Sequence, residues 1–204
     1  MKLQDYIEQQ ILPRYDSFDG AHTRTHVENV IRNSAELAKL YNADAQMCYV
    51  IAAYHDLGCC EGREQHHIVS GRIIMADKNL TQWFTREQIQ TMKEAVEDHR
   101  ASSDHEPRSL YGKIVAEADR DIDPDTTLRR TVQFGLDHYP SLTKEEQYSR
   151  FLAHLKEKYA PGGYLKLYLD KSPNKARLAE LRRIIADKDA LARRFDELYR
   201  EERS

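Results

Sequence analysis

From Leu3 to Leu198 apolar residues recur at intervals of three and four, and no stretch alternates apolar with polar over the length of a strand. A chain patterned this way buries its apolar stripes helix against helix, so the spacing predicts an all-α fold. With 204 residues, 40% hydrophobic and 32% charged, it is long enough for a sizeable core and is read as a single domain, 1–204.

Leu3, Tyr6, Ile7 and Ile11 form a short amphipathic helix that Pro13 is expected to close. Val27, Val30, Ile31, Ser34, Leu37 and Ala38 define the next, and place His26, four residues before Val30, on its buried stripe. A third helix covers Ala43 to Leu57. In a fourth, His67, Gly71 and Ile74 share one face while His66 is expected to point elsewhere. Thr85 with Gln88 has capping-box form and opens a helix whose inner side, Met92, Ala95 and Val96, ends at His99. Leu110 to Ala118 carries Asp119 four residues after Val115. Asp123-Pro124 and Thr143 with Glu146 start two more helices, Pro161-Gly162-Gly163 breaks the chain, and one long helix is expected through Leu178, Ile185 and Leu198.

The most informative stretch is Ile51-Ala52-Ala53-Tyr54-His55-Asp56-Leu57-Gly58, where a buried helical run ends in an imidazole and a carboxylate side by side. Gly58, just past the last periodic residue, is expected to supply a left-handed cap that turns the doublet toward a loop. His26, His55, Asp56 and Asp119 lie on three different helices, each at a core-facing position, so packing those helices can bring them to one point. A buried carboxylate such as Asp119 needs a compensating charge, from a cation or a neighbouring arginine. Mixed imidazole and carboxylate donors suit Mn²⁺, Fe²⁺, Mg²⁺, Co²⁺, Ni²⁺ or Zn²⁺.

The order His26, His55-Asp56, His67, His99, Asp119 resembles the HD-domain superfamily of metal-dependent phosphohydrolases. It is carried by Ala21-His22-Thr23-Arg24-Thr25-His26, Ala52-Ala53-Tyr54-His55-Asp56-Leu57-Gly58, His67-Ile68-Val69-Ser70-Gly71, Asp98-His99-Arg100 and Glu117-Ala118-Asp119. The resemblance covers about 20–123 and implies an all-α core with His26, His55, Asp56 and Asp119 as metal ligands. It makes His67, His99 and His105 candidates for a second metal or for phosphate contacts. The lysine that often follows the doublet's glycine in that family is Cys59 here, and the Gly-Tyr-Pro extension of its cyclic-dinucleotide phosphodiesterases is absent. The region after Asp123 matches no family pattern and is expected to complete the helical shell.

The implied reaction is attack by a metal-activated water on a phosphate ester or anhydride of a nucleotide or other small phosphorylated substrate. Asp56 and His55 hold and orient the metal and its water. Arg24, Arg63 and Arg120 are candidates for phosphate because a guanidinium pairs two oxygens at once, and Glu61 or Glu64 for protonating the leaving oxygen. Two rivals are a metal- or nucleotide-binding regulatory module with little hydrolysis, and a di-iron oxygenase built with His67 and His99. A net charge of -3 offers no nucleic-acid footprint, and no apolar run is long enough to cross a membrane. Cys48, Cys59 and Cys60 form no C-x-x-C pair, and a start that turns polar this early is not expected to act as a signal peptide, so a reducing cytoplasm is the expected compartment. The sequence sets no oligomeric state.

Overall fold

The computed structural model describes residues 1–18, 24–120 and 122–203. They fall into two compact units, Met1–Arg120 and Asp121–Ser204. Every regular element among the described residues is helical, so the fold is all-α as the spacing requires. No described helix is long and apolar enough to cross a membrane.

The first unit is built around α3, Ala45–Tyr54. Asp44 caps it, its carboxylate accepting from the amides of Gln46 and Met47 at 2.8 and 3.1 Å. From Met47 to Tyr54 every residue except Tyr49 is buried, so beyond its exposed first two residues α3 must be covered by neighbours on nearly all sides. The cover comes from α2 (Arg24–Tyr41) through Val27, Val30 and Leu37, from α5 (Arg86–Asp98) through Met92, Ala95 and Val96, and from α6 (Leu110–Asp119) through Ile114, Val115 and Ala118. Each fully buried aliphatic side chain contributes about 1.5–3 kcal/mol, which fixes the helices relative to α3 more firmly than their caps do. The Thr85–Gln88 capping box opens α5, and Ser109 caps α6.

The N-terminal segment departs from expectation. Helix α1, Leu3–Tyr6, widens into a π-helical turn at Ile7–Ile11 and tightens into a 3₁₀ turn at Leu12–Ser17. Pro13 does not close the helix: it occupies the first turn of the 3₁₀ segment, where a missing N–H leaves nothing unpaired. The hydroxyls of Tyr6 and Tyr54 both donate to Asp77, at 2.6 and 2.5 Å, pinning this segment to α3 and to the end of α4, His66–Ala76.

Gly58 also differs. It lies in the 3₁₀ turn Leu57–Glu61, and the left-handed glycine is Gly62, at φ 104°. A Cβ on Gly58 would stand 2.0 Å from the carbonyl oxygen of His66 and 2.7 Å from the amide of Ser70. Glycine is therefore required for the close approach of this turn to α4. The Gly58 amide donates to Ser70 Oγ at 2.8 Å and closes the contact.

In the second unit, α7 (Pro124–His138) carries the Asp123 cap and α8 (Lys144–Tyr159) the Thr143–Glu146 capping box. Phe151, Leu155, Leu181, Phe195 and Leu198 form its core. The single long helix expected through Leu178 and Leu198 is two, α9 (Asn174–Ala186) and α10 (Lys188–Glu201). Asp187 separates them by leaving helical geometry and accepting the Ala190 amide at 2.9 Å as the cap of α10.

Candidate metal centre

Five helix ends of the first unit bring one polar group each, or two, to the same place. His26 sits in the first turn of α2, Asp119 is the last residue of α6, and His55 and His99 cap the C-termini of α3 and α5. His66 is the first residue of α4, and Asp56 follows His55 before the 3₁₀ turn.

On one side of Asp56, its Oδ2 lies 3.1 Å from His55 Nε2 and 3.5 Å from His26 Nε2. Asp119 Oδ1 lies 3.1 Å from His26 Nε2 and 3.7 Å from His55 Nε2, and the two imidazole nitrogens are 3.3 Å apart. The four residues singled out in the sequence thus converge. On the other side, Asp56 Oδ1 lies 3.4 Å from both His66 Nε2 and His99 Nε2, which are 3.1 Å from each other. Asp56 therefore faces two sets of donors with its two oxygens.

The tautomers follow from the groups behind the rings. His55 Nδ1 donates to the Ala52 carbonyl at 2.8 Å, His99 Nδ1 to Val96 at 2.6 Å and His66 Nδ1 to Arg63 at 2.8 Å. A carbonyl only accepts, so each Nδ1 carries the proton and each neutral ring turns its Nε2 lone pair inward. At His66 and His99 two lone pairs meet at 3.1 Å beside a carboxylate oxygen. With both rings neutral, three acceptors meet at one point, a repulsion that a metal ion or a proton on one ring relieves, and backbone carbonyls behind imidazoles are how metal-ligating histidines are held. The donor set fits divalent metal ions on both sides of Asp56, and two such groups, His26-His55-Asp56 and Asp56-His66-His99, are close enough to hold one.

Without a cation the cluster neutralises itself. Burial disfavours a charged His26, but hydrogen bonds to Asp119 and Asp56 outweigh it and raise its pKa to about 9. His55 rises for the same reason, the Asp56 charge overcoming complete burial. Burial alone would raise both acids, yet the His55 charge holds Asp56, and hydrogen bonds from His26 and His55 hold Asp119, well below the usual carboxylate range. Burial and the neighbouring His99 instead push His66 down to about 4, so this ring is neutral and ready to ligate.

Tyr15 was not singled out in the sequence. Its buried hydroxyl donates to the Ala53 carbonyl at 3.0 Å and accepts from the Asp56 amide at 3.3 Å, bracing the turn between the two metal-facing side chains. The signal was an aromatic at helical spacing, indistinguishable from a core residue.

His66, not His67, joins His99 and Asp56. Gly71 and Ile74 of the expected face are buried, but so are Val69 and Ser70, and His66, three and four positions before these two, is the ring that reaches Asp56 and His99. His67 lies beside this set, its ring 5.5 Å from that of His66, on the wall of an adjoining cleft that includes His105. The other candidates stand apart. Arg24 pairs with Glu28 at 3.0 Å, and Glu61 with Arg72 at 3.1 Å, all four on the surface. Arg63 and Glu64 are exposed and lend backbone carbonyls, while Arg120 is buried directly after Asp119. His22, within the first resembling stretch, lies outside the described residues. Cys59 and Cys60 belong to neither donor group, and Cys48, Cys59 and Cys60 are all free thiols.

No curated protein matches the chain. A crystal structure of a predicted HD superfamily hydrolase from an uncultured Thermotogales bacterium superposes with a TM-score of 0.51 at 22% identity, covering 74% of this chain and 89% of that one. At that identity the likeness is one of fold. Residues 23–121 match the family model of the HD domain, the segment that supplies every residue of both donor sets. Over that segment the chain carries an HD domain.

Proposed function

We propose that this protein is a phosphohydrolase that uses divalent metal to cleave a phosphate ester or anhydride of a small phosphorylated molecule. The observation that carries the reading is Asp56, whose two oxygens face separate imidazole sets: His26 and His55, with Asp119, at Oδ2, and His66 and His99 at Oδ1. One metal would be held by His26, His55, Asp56 and Asp119, and a second by Asp56, His66 and His99. A divalent cation bound there supplies a water acidified toward neutral pH and positive charge against phosphoryl oxygens.

The chain's own residues do the rest. Ala52, Val96 and Arg63 hold the rings of His55, His99 and His66 through Nδ1, so that each presents a lone pair without reorganising. Tyr15 holds the Asp56 backbone amide from behind, which fixes the turn that carries the carboxylate. His55 and His99 are fully or nearly fully buried, whereas His26 and His66 are half-buried, so a substrate would approach across the latter pair. Nitrogen and oxygen donors without thiolate fit Mn²⁺, Fe²⁺, Co²⁺, Ni²⁺, Mg²⁺ and Zn²⁺, and three free cysteines fit a reducing compartment.

The test is phosphate release from nucleotides, pyrophosphates and phosphomonoesters by protein stripped with chelator and reloaded with each ion. Turnover restored by metal in the wild type, and by none in Asp56→Asn, is expected. Tight nucleotide binding with no phosphate released under any ion would make the protein a regulatory binding module instead.

A further inference from the structure

Beside the His66–His99 set the first unit opens into a cleft of about 700 Å³, walled by the first turn of α4, the end of α5 and the segment 102–108. That volume is within the roughly 300–1,000 Å³ typical of sites for nucleotide-sized ligands. It adjoins the metal centre directly: the His67 ring stands edge-on to that of His66, centroids 5.5 Å apart, and Asp98 and Arg100 flank His99 in sequence.

The cleft is lined by acids and bases in similar number, but they are not equally available. Glu97 is paired with Lys93 at 2.6 Å and Arg108 at 2.9 Å, Asp98 with Arg108 at 2.8 Å, and Glu106 with Lys113 at 2.6 Å. Among the wall carboxylates only Asp104, exposed to water, has no cation within 4.0 Å among the described residues. Arg100 is in the opposite position. One of its Nη atoms donates to the Glu64 carbonyl at 2.8 Å, which holds the guanidinium in place, and no described carboxylate lies within 4.0 Å of it. His67 Nδ1 is buried and has no hydrogen-bond partner. Apart from Asp104 the wall carboxylates are thus occupied, while Arg100 and His67 keep polar groups that no carboxylate engages, which favours an anionic ligand, and a fixed guanidinium fork matches a pair of phosphate oxygens.

We propose that this cleft is a second anion subsite, in which Arg100 and His67 hold a phosphate adjacent to the one at the metal centre. The substrate class is then a phosphoanhydride, a molecule with two or more linked phosphates, and a simple phosphomonoester leaves the subsite empty. This assignment rests on the phosphohydrolase reading for the reaction but not for the binding.

The binding arm is calorimetric titration of inorganic tripolyphosphate into metal-free protein kept in chelator. Wild type is expected to bind, with affinity at least tenfold weaker in Arg100→Gln and in His67→Gln, and unchanged in Arg86→Gln, a surface control. Circular dichroism checks that each variant is folded. Equal affinity in wild type and both cleft variants, or no binding by wild type, overturns the proposal. In the turnover arm with metal, Arg100→Gln should raise KM at least tenfold for a phosphoanhydride and leave it unchanged for bis(p-nitrophenyl) phosphate, which lacks a second phosphate. An equal change for both substrates overturns the subsite. If no substrate at all is hydrolysed, the phosphohydrolase reading fails while the calorimetry still decides the cleft.

Discussion

Asp56 is the residue whose loss reaches furthest, since each of its oxygens lies against a different pair of imidazoles. Asp56→Asn keeps the shape and removes the charge. It should lower affinity on both sides of the centre and cut turnover by more than the roughly 10–100-fold that losing a group behind a ligand costs. Metal titration and initial rates on one preparation check it. Tyr15→Phe tests such a group. Without the hydroxyl, the Ala53 carbonyl and the Asp56 amide lose their buried partner, which should destabilise the fold by about 1–3 kcal/mol in urea denaturation and weaken metal binding about tenfold. At this scale the sequence was partly legible. His26, His55, Asp56 and Asp119 could be brought together because each extends an apolar stripe. His66 could not be separated from His67 in that way, since both precede the first full turn of α4 and a stripe shifted by one residue also finds apolar partners.

At the scale of elements, the centre is a place where helix ends meet, so its geometry depends on how closely those ends approach. The 3₁₀ turn after Asp56 lies against α4 only because Gly58 has no side chain. Gly58→Ala would put a methyl 2.0 Å from the His66 carbonyl, a backbone atom that moves only if the start of α4 moves with it. The substitution should cost about 1–3 kcal/mol, as other overpacked contacts do, and should weaken the metal on the His66–His99 side more than the other. Denaturation and metal stoichiometry of the variant measure the two effects. Periodicity and caps made the helices legible, including the boxes at Thr85 and Thr143. It does not report close approach between elements, so Gly58 read as a helix stop. Nor did it reveal the break at Asp187, because the apolar residues of α9 and α10 keep helical spacing across an aspartate that works as a cap.

For the whole molecule, the titration of the centre sets how stability depends on pH and metal. In metal-free protein His26 titrates at about 9, above the ~6.5 of an unfolded histidine. Its contribution to stability is complete below about pH 6.5 and is lost as pH rises through about 9. Asp56 and Asp119, with lowered pKa, stabilise above the unfolded carboxylate value near ~3.9 and lose that contribution as pH falls through their folded values. The melting temperature in chelator should therefore fall between pH 6.5 and 9, while added Mn²⁺, which requires the deprotonated imidazoles, should raise it more at pH 9 than at pH 6. Thermal melts across that range with chelator or Mn²⁺ give both slopes.

The most direct test of the Asp56-centred arrangement is a metal count. Wild type, His66→Ala and His67→Ala are dialysed to equilibrium against Mn²⁺ at pH 7.5, and bound metal per chain is measured by plasma mass spectrometry. Two equivalents in wild type, one in His66→Ala and two in His67→Ala are expected. Two equivalents in His66→Ala, or only one in His67→Ala, would contradict the assignment of His66 and His99 to the second side of Asp56.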